Sequence, residues 1–170
     1  MTDDRYETTF KQWLSEHQGL IFKVVRAYAG TLEDQDDLFQ EILLQLWFSI
    51  PNFHGKAKVS TWIYKVALNT ALVWNRGEKK RRKNRDRLLT FAPQRQADCS
   101  GQPGEIIGRL YEAIRKLPKI DASVVLMHLD GLAYSEMAEI LGISGSNVGV
   151  KLNRAKKQLV QLLKGLVDDF

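Results

Sequence analysis

Apolar residues recur along this chain at intervals of three and four, and no run of alternating β-branched residues bounded by turns interrupts them. That period belongs to helices that turn one stripe inward, so an all-α protein is expected. From Glu7 to Ala29 the stripe is Phe10, Trp13, Leu14, Leu20, Ile21, Val24, Val25 and Tyr28, with Gly30 as the stop. The next helix starts at Thr31, with Asp34 three residues on, and passes Leu38, Ile42, Leu43, Leu46 and Trp47 before Pro51. After the loop PNFHGKAKVS, Ser60 is the expected cap of a third helix that buries Trp62, Ile63, Val66, Ala67, Thr70, Ala71 and Trp74.

That helix runs into EKKRRKNRDR, where eight basic residues lie between Arg76 and Arg87 against two acids, Glu78 and Asp86. From about Thr90 the sequence TFAPQRQADCSGQPG has the composition of a linker, with two prolines, two glycines and few large apolar groups. Two helical domains are therefore expected, over residues 1–89 and 105–170, with a flexible linker over 90–104. In 170 residues each would be near the lower size limit for a unit with its own core. The second domain reads as four helices: Glu105 to Lys116 stopped by Pro118, Ile120 to Leu129 closed by Asp130-Gly131, and a final pair within AYSEMAEILGISGSNVGVKLNRAKKQL.

One cysteine, Cys99, leaves no disulfide within the chain and no Cys-based zinc site. His17, His54 and His128 lack metal-ligand spacing, so neither a metal nor a cofactor is expected. The start MTDDRYETTF has no signal-peptide character, and no stretch reaches the roughly 18 uninterrupted apolar residues of a membrane span. A cytoplasmic chain without membrane insertion is the expectation. A formal charge of +5 and a pI near 9.3 fit a polyanionic partner, and the distribution of that charge matters more than its sum.

In the final pair, Met137, Ala138, Ile140 and Leu141 face inward on a short helix, Gly142 takes the left-handed turn, and Ser144 caps a second helix. Val148, Leu152, Ala155, Leu159 and Leu162 form the buried stripe of that helix. Opposite stand Asn147, Lys151, Arg154 and Gln158, flanked by Ser146, Val150, Asn153 and Lys157. Polar tips near the N-terminus with cations further along suit a helix in the major groove, and they equally describe a solvated amphipathic face. The upstream basic run has the same two readings. It extends a helix with Lys65, Asn69 and Arg76 on one face, preceded by Lys56 and Lys58 and followed by Lys79 and Lys80, so one cationic track would follow loop and helix. Against it stands an acidic segment, Glu33, Asp34, Asp36, Asp37, Gln40 and Glu41. Asp37 and Glu41 share a helix face, as a paired-carboxylate or magnesium site would, or as a protein-docking surface that cannot face phosphates.

The stretch DLFQEILLQLWFSIPNFHGKAKVSTWIYKVALNTALVWNRGEKKRRK resembles conserved region 2 of the extracytoplasmic-function (ECF) sigma factors of the sigma-70 family. LPKIDASVVLMHLDGLAYSEMAEILGISGSNVGVKLNRAKKQL is similar to their region 4. The resemblance implies a non-enzymatic subunit that binds core RNA polymerase through the largest-subunit coiled coil and the flap, reads minus-35 and minus-10 promoter elements and helps separate the strands. An anti-sigma factor is a further partner implied by the family. Asp37, Gln40 and Glu41 match the part that grips the coiled coil. Asn52, Phe53, His54, Lys56 and Lys58, with Lys65, Asn69, Arg76, Lys79 and Lys80, match the part that melts and reads the minus-10 element, where the loop holds a flipped base. Ser146, Asn147, Val150, Lys151, Arg154 and Lys157 match the minus-35 reader. Ala133 departs from the usual Ser or Thr cap, and Gly149, Val150 and Lys151 replace the usual Lys, Ser and Arg. The rival readings are a stand-alone helix-turn-helix regulator and a small nuclease using Asp37 and Glu41 with a metal ion.

Overall fold

The computed structural model describes residues 2–88 and 102–168, and every regular element in them is helical. The chain divides into two units, Met1–Gln96 and Ala97–Phe170. In the first, α1 (Thr2–Tyr28), α2 (Leu32–Ser49) and α3 (Val59–Leu88) pack against one another, and a single 3₁₀ turn, Ile50–Asn52, follows α2. Thr31 caps α2 as its sequence requires, its hydroxyl accepting from the Asp34 backbone N–H at 3.1 Å. Ser60 is not a cap: α3 opens at Val59, and the Lys58 carbonyl already accepts from the Trp62 N–H. α1 is broken at His17, where φ −125° and ψ 15° leave the helical range.

The core of this unit is Ile21, Val24 and Val25 of α1, Leu38, Ile42 and Leu46 of α2, and Ile63, Tyr64, Ala67, Leu68 and Ala71 of α3. Tyr64 and Leu68 lie outside the stripe expected for α3, whereas Trp62, Val66 and Trp74 are only half-buried. The cause is that α3 touches both α1 and α2 and so buries a wider arc than one amphipathic stripe.

The second unit consists of α4 (Gln102–Lys116), α5 (Lys119–Leu129), α6 (Tyr134–Leu141) and α7 (Gly145–Asp168). α4 begins three residues before Glu105, inside the segment expected as linker, and the rest of that segment, like Cys99, lies outside the described residues. α5 is enclosed, with every residue from Asp121 to Met127 buried, and α7 packs on α4, α5 and α6. Gly142 ends α6 with φ 68° and ψ 32°, a left-handed conformation in which a Cβ is strained. The Ala138 carbonyl there accepts from both the Gly142 and Ile143 N–H groups.

Candidate polymerase and nucleic-acid interfaces

Between α2 and α3 lies an open groove of about 820 Å³. One wall is Asp37, Gln40, Glu41, Leu44 and Gln45, and the other is Asn69, Thr70, Val73, Trp74 and Gly77. Gln45 donates from Nε2 to Glu41 Oε1 at 3.1 Å, which holds that carboxylate along the helix surface. Two large apolar side chains are left in water here, Leu44 at 48% and Val73 at 66% exposure. The groove thus has one acidic wall, on α2, and apolar side chains on both. It contains two carboxylates, and among the described residues no group of three or more His, Cys, Asp or Glu side chains is placed to share a metal ion. The structure therefore brings Asp37, Gln40 and Glu41 together, and it adds Asn69 to them. At about 100° per residue Asn69 shares a stripe with Lys65 and Arg76, so it stands where the cationic face of α3 meets the groove.

The loop after α2 is held by aromatic packing. Phe53 sits edge-on to Trp13 with ring centroids 5.2 Å apart, and tilted against Trp62 at 5.5 Å. Trp62 Nε1 donates to Ser49 Oγ at 3.1 Å, and that hydroxyl donates to the Leu46 carbonyl at 2.8 Å. Asn52, His54, Gly55, Lys56 and Lys58 are exposed around this anchor. Gly55 has φ 73° with open space where a Cβ would stand, so backbone conformation rather than crowding calls for glycine. Lys65 and Arg76 are exposed further along α3, while the side chains of Lys79 and Lys80 lie outside the described residues.

The half-buried Phe53 ring is thus a packing group. Phe53→Ala is expected to cost the first unit roughly 2 kcal/mol, below the range for fully buried phenylalanines. All four tryptophans lie in that unit, so tryptophan fluorescence in a denaturant titration follows it alone. Unchanged stability together with an altered minus-10 preference would instead make the ring a DNA contact.

In the second unit, Ser144 accepts the Asn147 N–H at 3.2 Å and caps α7, whereas Ala133 opens α6 with no side-chain bond. The outward stripe of α7 differs from the one expected. Ser146, Val150, Asn153 and Lys157 are exposed opposite Val148, Leu152, Ala155 and Leu159. Asn147 is exposed beside them, Lys151 is half-buried, and Gln158 Oε1 is buried. Arg154 is tied back to α5: its Nη2 and Nε donate to the two carboxylate oxygens of Asp121 at 3.1 and 3.3 Å. The Asp121 side chain is 1% exposed and that of Arg154 54%. The guanidinium therefore first neutralises a buried charge. Sequence reasoning missed Asp121, since 33 positions separate it from Arg154 and no spacing rule joins them.

The family model described as Sigma-70 region 2 matches residues 13–81, and the one described as Sigma-70, region 4 matches residues 107–159. The chain belongs to the sigma-70 family, as an ECF member. It is 24% identical to the ECF RNA polymerase sigma-E factor of Haemophilus influenzae, over 93% of this chain and 89% of that one. It is 29% identical to the RNA polymerase sigma factor SigZ of Bacillus subtilis, over 76% and 73% of the two chains. In fold it is similar to the sigma factor RpoE of Bartonella quintana, solved in complex with the anti-sigma factor NepR. The TM-score is 0.72 at 20% identity, covering 92% of this chain and 97% of that one. The α2–α3 groove thus lies in region 2 and the α6–α7 hairpin in region 4. As an ECF sigma factor the chain directs RNA polymerase to promoters, as a transcription initiation factor rather than a classical enzyme. A region 2 has no place in a stand-alone helix-turn-helix regulator. No helix among the described residues is long and apolar enough to cross a membrane.

Proposed function

We propose that Asp37, Gln40 and Glu41 dock this sigma factor on the coiled coil of the polymerase's largest subunit, and that two cationic surfaces then engage the promoter. The observation that carries this reading is the α2–α3 groove, where one acidic wall and the exposed Leu44 and Val73 stand beside a cationic helix face. Such a groove repels phosphates and suits a basic, partly apolar helix of a protein partner. Asn52, His54, Lys56 and Lys58 around the Phe53 anchor, with Lys65, Asn69, Arg76, Lys79 and Lys80, hold the minus-10 strand: cations on phosphates, and loop polar groups on a base drawn out of the stack. Ser146, Asn147, Val150, Lys151 and Lys157 face the minus-35 element from α7, and Arg154 reaches phosphate only as far as Asp121 allows.

In this reading the region 2 domain spans residues 1–89 and the region 4 domain residues 105–170, with the linker of 90–104 shortened by the early start of α4. The protein works in the cytoplasm, where polymerase and promoter meet. An anti-sigma factor restrains it, a reading supported by the similar fold of RpoE in its complex with NepR.

Runoff transcription with purified core polymerase on pooled genomic fragments tests the proposal. New start sites are expected only with the chain present, and Lys56→Ala/Lys58→Ala should reduce transcript from them more than from templates already open at minus-10. Equal loss on both templates removes the loop from strand capture.

A further inference from the structure

The outermost stripe of α7 has two exposed apolar points, Val150 and, further along, Val160, and only Val150 lies in the first half of the helix. Ser146, Asn153 and Lys157 surround Val150, which is 64% exposed. Its neighbours one turn away, Ser146, Asn147, Asn153 and Arg154, are all polar, and Gly149 before it points about 100° away. Gly149 itself lies close under α6, since a Cβ there would stand 3.5 Å from the Tyr134 ring. The valine therefore stands among polar side chains on the open face, in the first half of the helix, where base edges come within reach. A lone exposed valine is ordinary on a protein surface. It is not ordinary in the middle of a face that meets the major groove, where a single apolar group is available to it: the 5-methyl of thymine.

We propose that Val150 reads the methyl group of a thymine in the minus-35 element. The proposal rests on α7 being the minus-35 reader and adds a specific chemistry to it. Val150 contributes no hydrogen bond, so it separates thymine from cytosine by the methyl alone, while Asn147 and Lys151 alongside supply polar contacts and the Lys157 ammonium meets phosphate.

The test begins with duplexes selected from a randomised upstream element by the holoenzyme. Each thymine in turn is replaced by deoxyuridine, which removes the methyl and keeps O4 and the base pairing. At one position binding should fall roughly three- to fivefold, the size that withdrawing one buried methyl implies. Val150→Ser should bind the thymine and uracil duplexes equally, at the level of the wild-type protein on uracil. A selected element without thymine, no sensitive position, or equal sensitivity in the serine variant would each overturn the proposal. Scrambling the whole upstream element separates this failure from a deeper one. If scrambling weakens binding and uracil does not, α7 still reads DNA and the methyl contact alone is wrong. If scrambling has no effect, α7 is not the reader. A Val150→Ser change that loosens a protein complex and leaves DNA binding intact assigns the valine to a protein interface and likewise overturns it.

Discussion

Asp37→Lys combined with Glu41→Lys should abolish co-purification with core RNA polymerase while far-UV circular dichroism stays unchanged. Asp37 is exposed and Glu41 half-buried on α2, and neither contributes to the Leu38–Ile42–Leu46 stripe that holds this helix in the core. Long side chains fit at both positions without displacing anything packed. The reversal places two ammonium groups where a basic partner must approach, and like-charge juxtaposition across an interface costs several kcal/mol, a loss on the order of a hundredfold or more. Asp37→Asn with Glu41→Gln should give an intermediate loss, since it withdraws attraction without adding repulsion. Asp36→Lys serves as the control: it is exposed on the same helix and lies outside the groove, so it should bind polymerase normally. Equal loss from Asp36→Lys would mean that net charge, and not the groove, drives association. Retained binding by the double reversal would remove the docking assignment.

The second large effect is expected in region 4. Arg154→Leu strands the Asp121 carboxylate, 1% exposed, among buried residues of α5. Breaking a fully buried pair from one side costs about 3–5 kcal/mol, and the half-exposed arginine lowers this to roughly 2–3 kcal/mol. For a unit of this size that is a large share of its stability. Because the tryptophans are all in the other unit, loss of helical dichroism without a change in tryptophan emission isolates region 4. Adding Asp121→Asn to Arg154→Leu should restore most of the loss, since the stranded charge is gone. If Arg154→Leu is as stable as the parent and the salt slope of promoter binding falls by about one unit, the guanidinium belongs to a phosphate and the contact with Asp121 is incidental.

These two sites were not equally legible. The acidic run on α2 is visible in any reading, because Asp37, Gln40 and Glu41 recur at helical spacing and two of the three are carboxylates, opposite in charge to the neighbouring face of α3. The hairpin was equally plain, since Gly142 and Ser144 are residue types that a left-handed stop and a helix cap demand. Periodicity failed where one helix has several neighbours. α3 buries Tyr64 and Leu68 because α1 and α2 both lie against it, and no single stripe describes such a helix. On α7 periodicity found the buried stripe, Val148, Leu152, Ala155 and Leu159, but of the basic stripe Asn147, Lys151, Arg154 and Gln158 only Asn147 and Arg154 are exposed. The face opposite the buried stripe is Ser146, Val150, Asn153 and Lys157, and Arg154 at its edge is paired with Asp121 while Gln158 Oε1 is buried. A charge that neutralises a distant buried partner has the same sequence signature as a charge that waits for a ligand.

The aromatic anchor in the loop after α2 has a consequence for redesign. Phe53 is locked between Trp13 of α1 and Trp62 of α3, while its neighbours on either side point into solvent. Support and display are thus carried by different residues of one short segment. Whoever wishes to reprogram such a protein can treat Phe53 and the left-handed Gly55 as a fixed socket and vary Asn52, His54 and Lys56 as interchangeable tips. A wholesale loop transplant that carries a smaller residue into the socket would confound altered preference with a loosened domain.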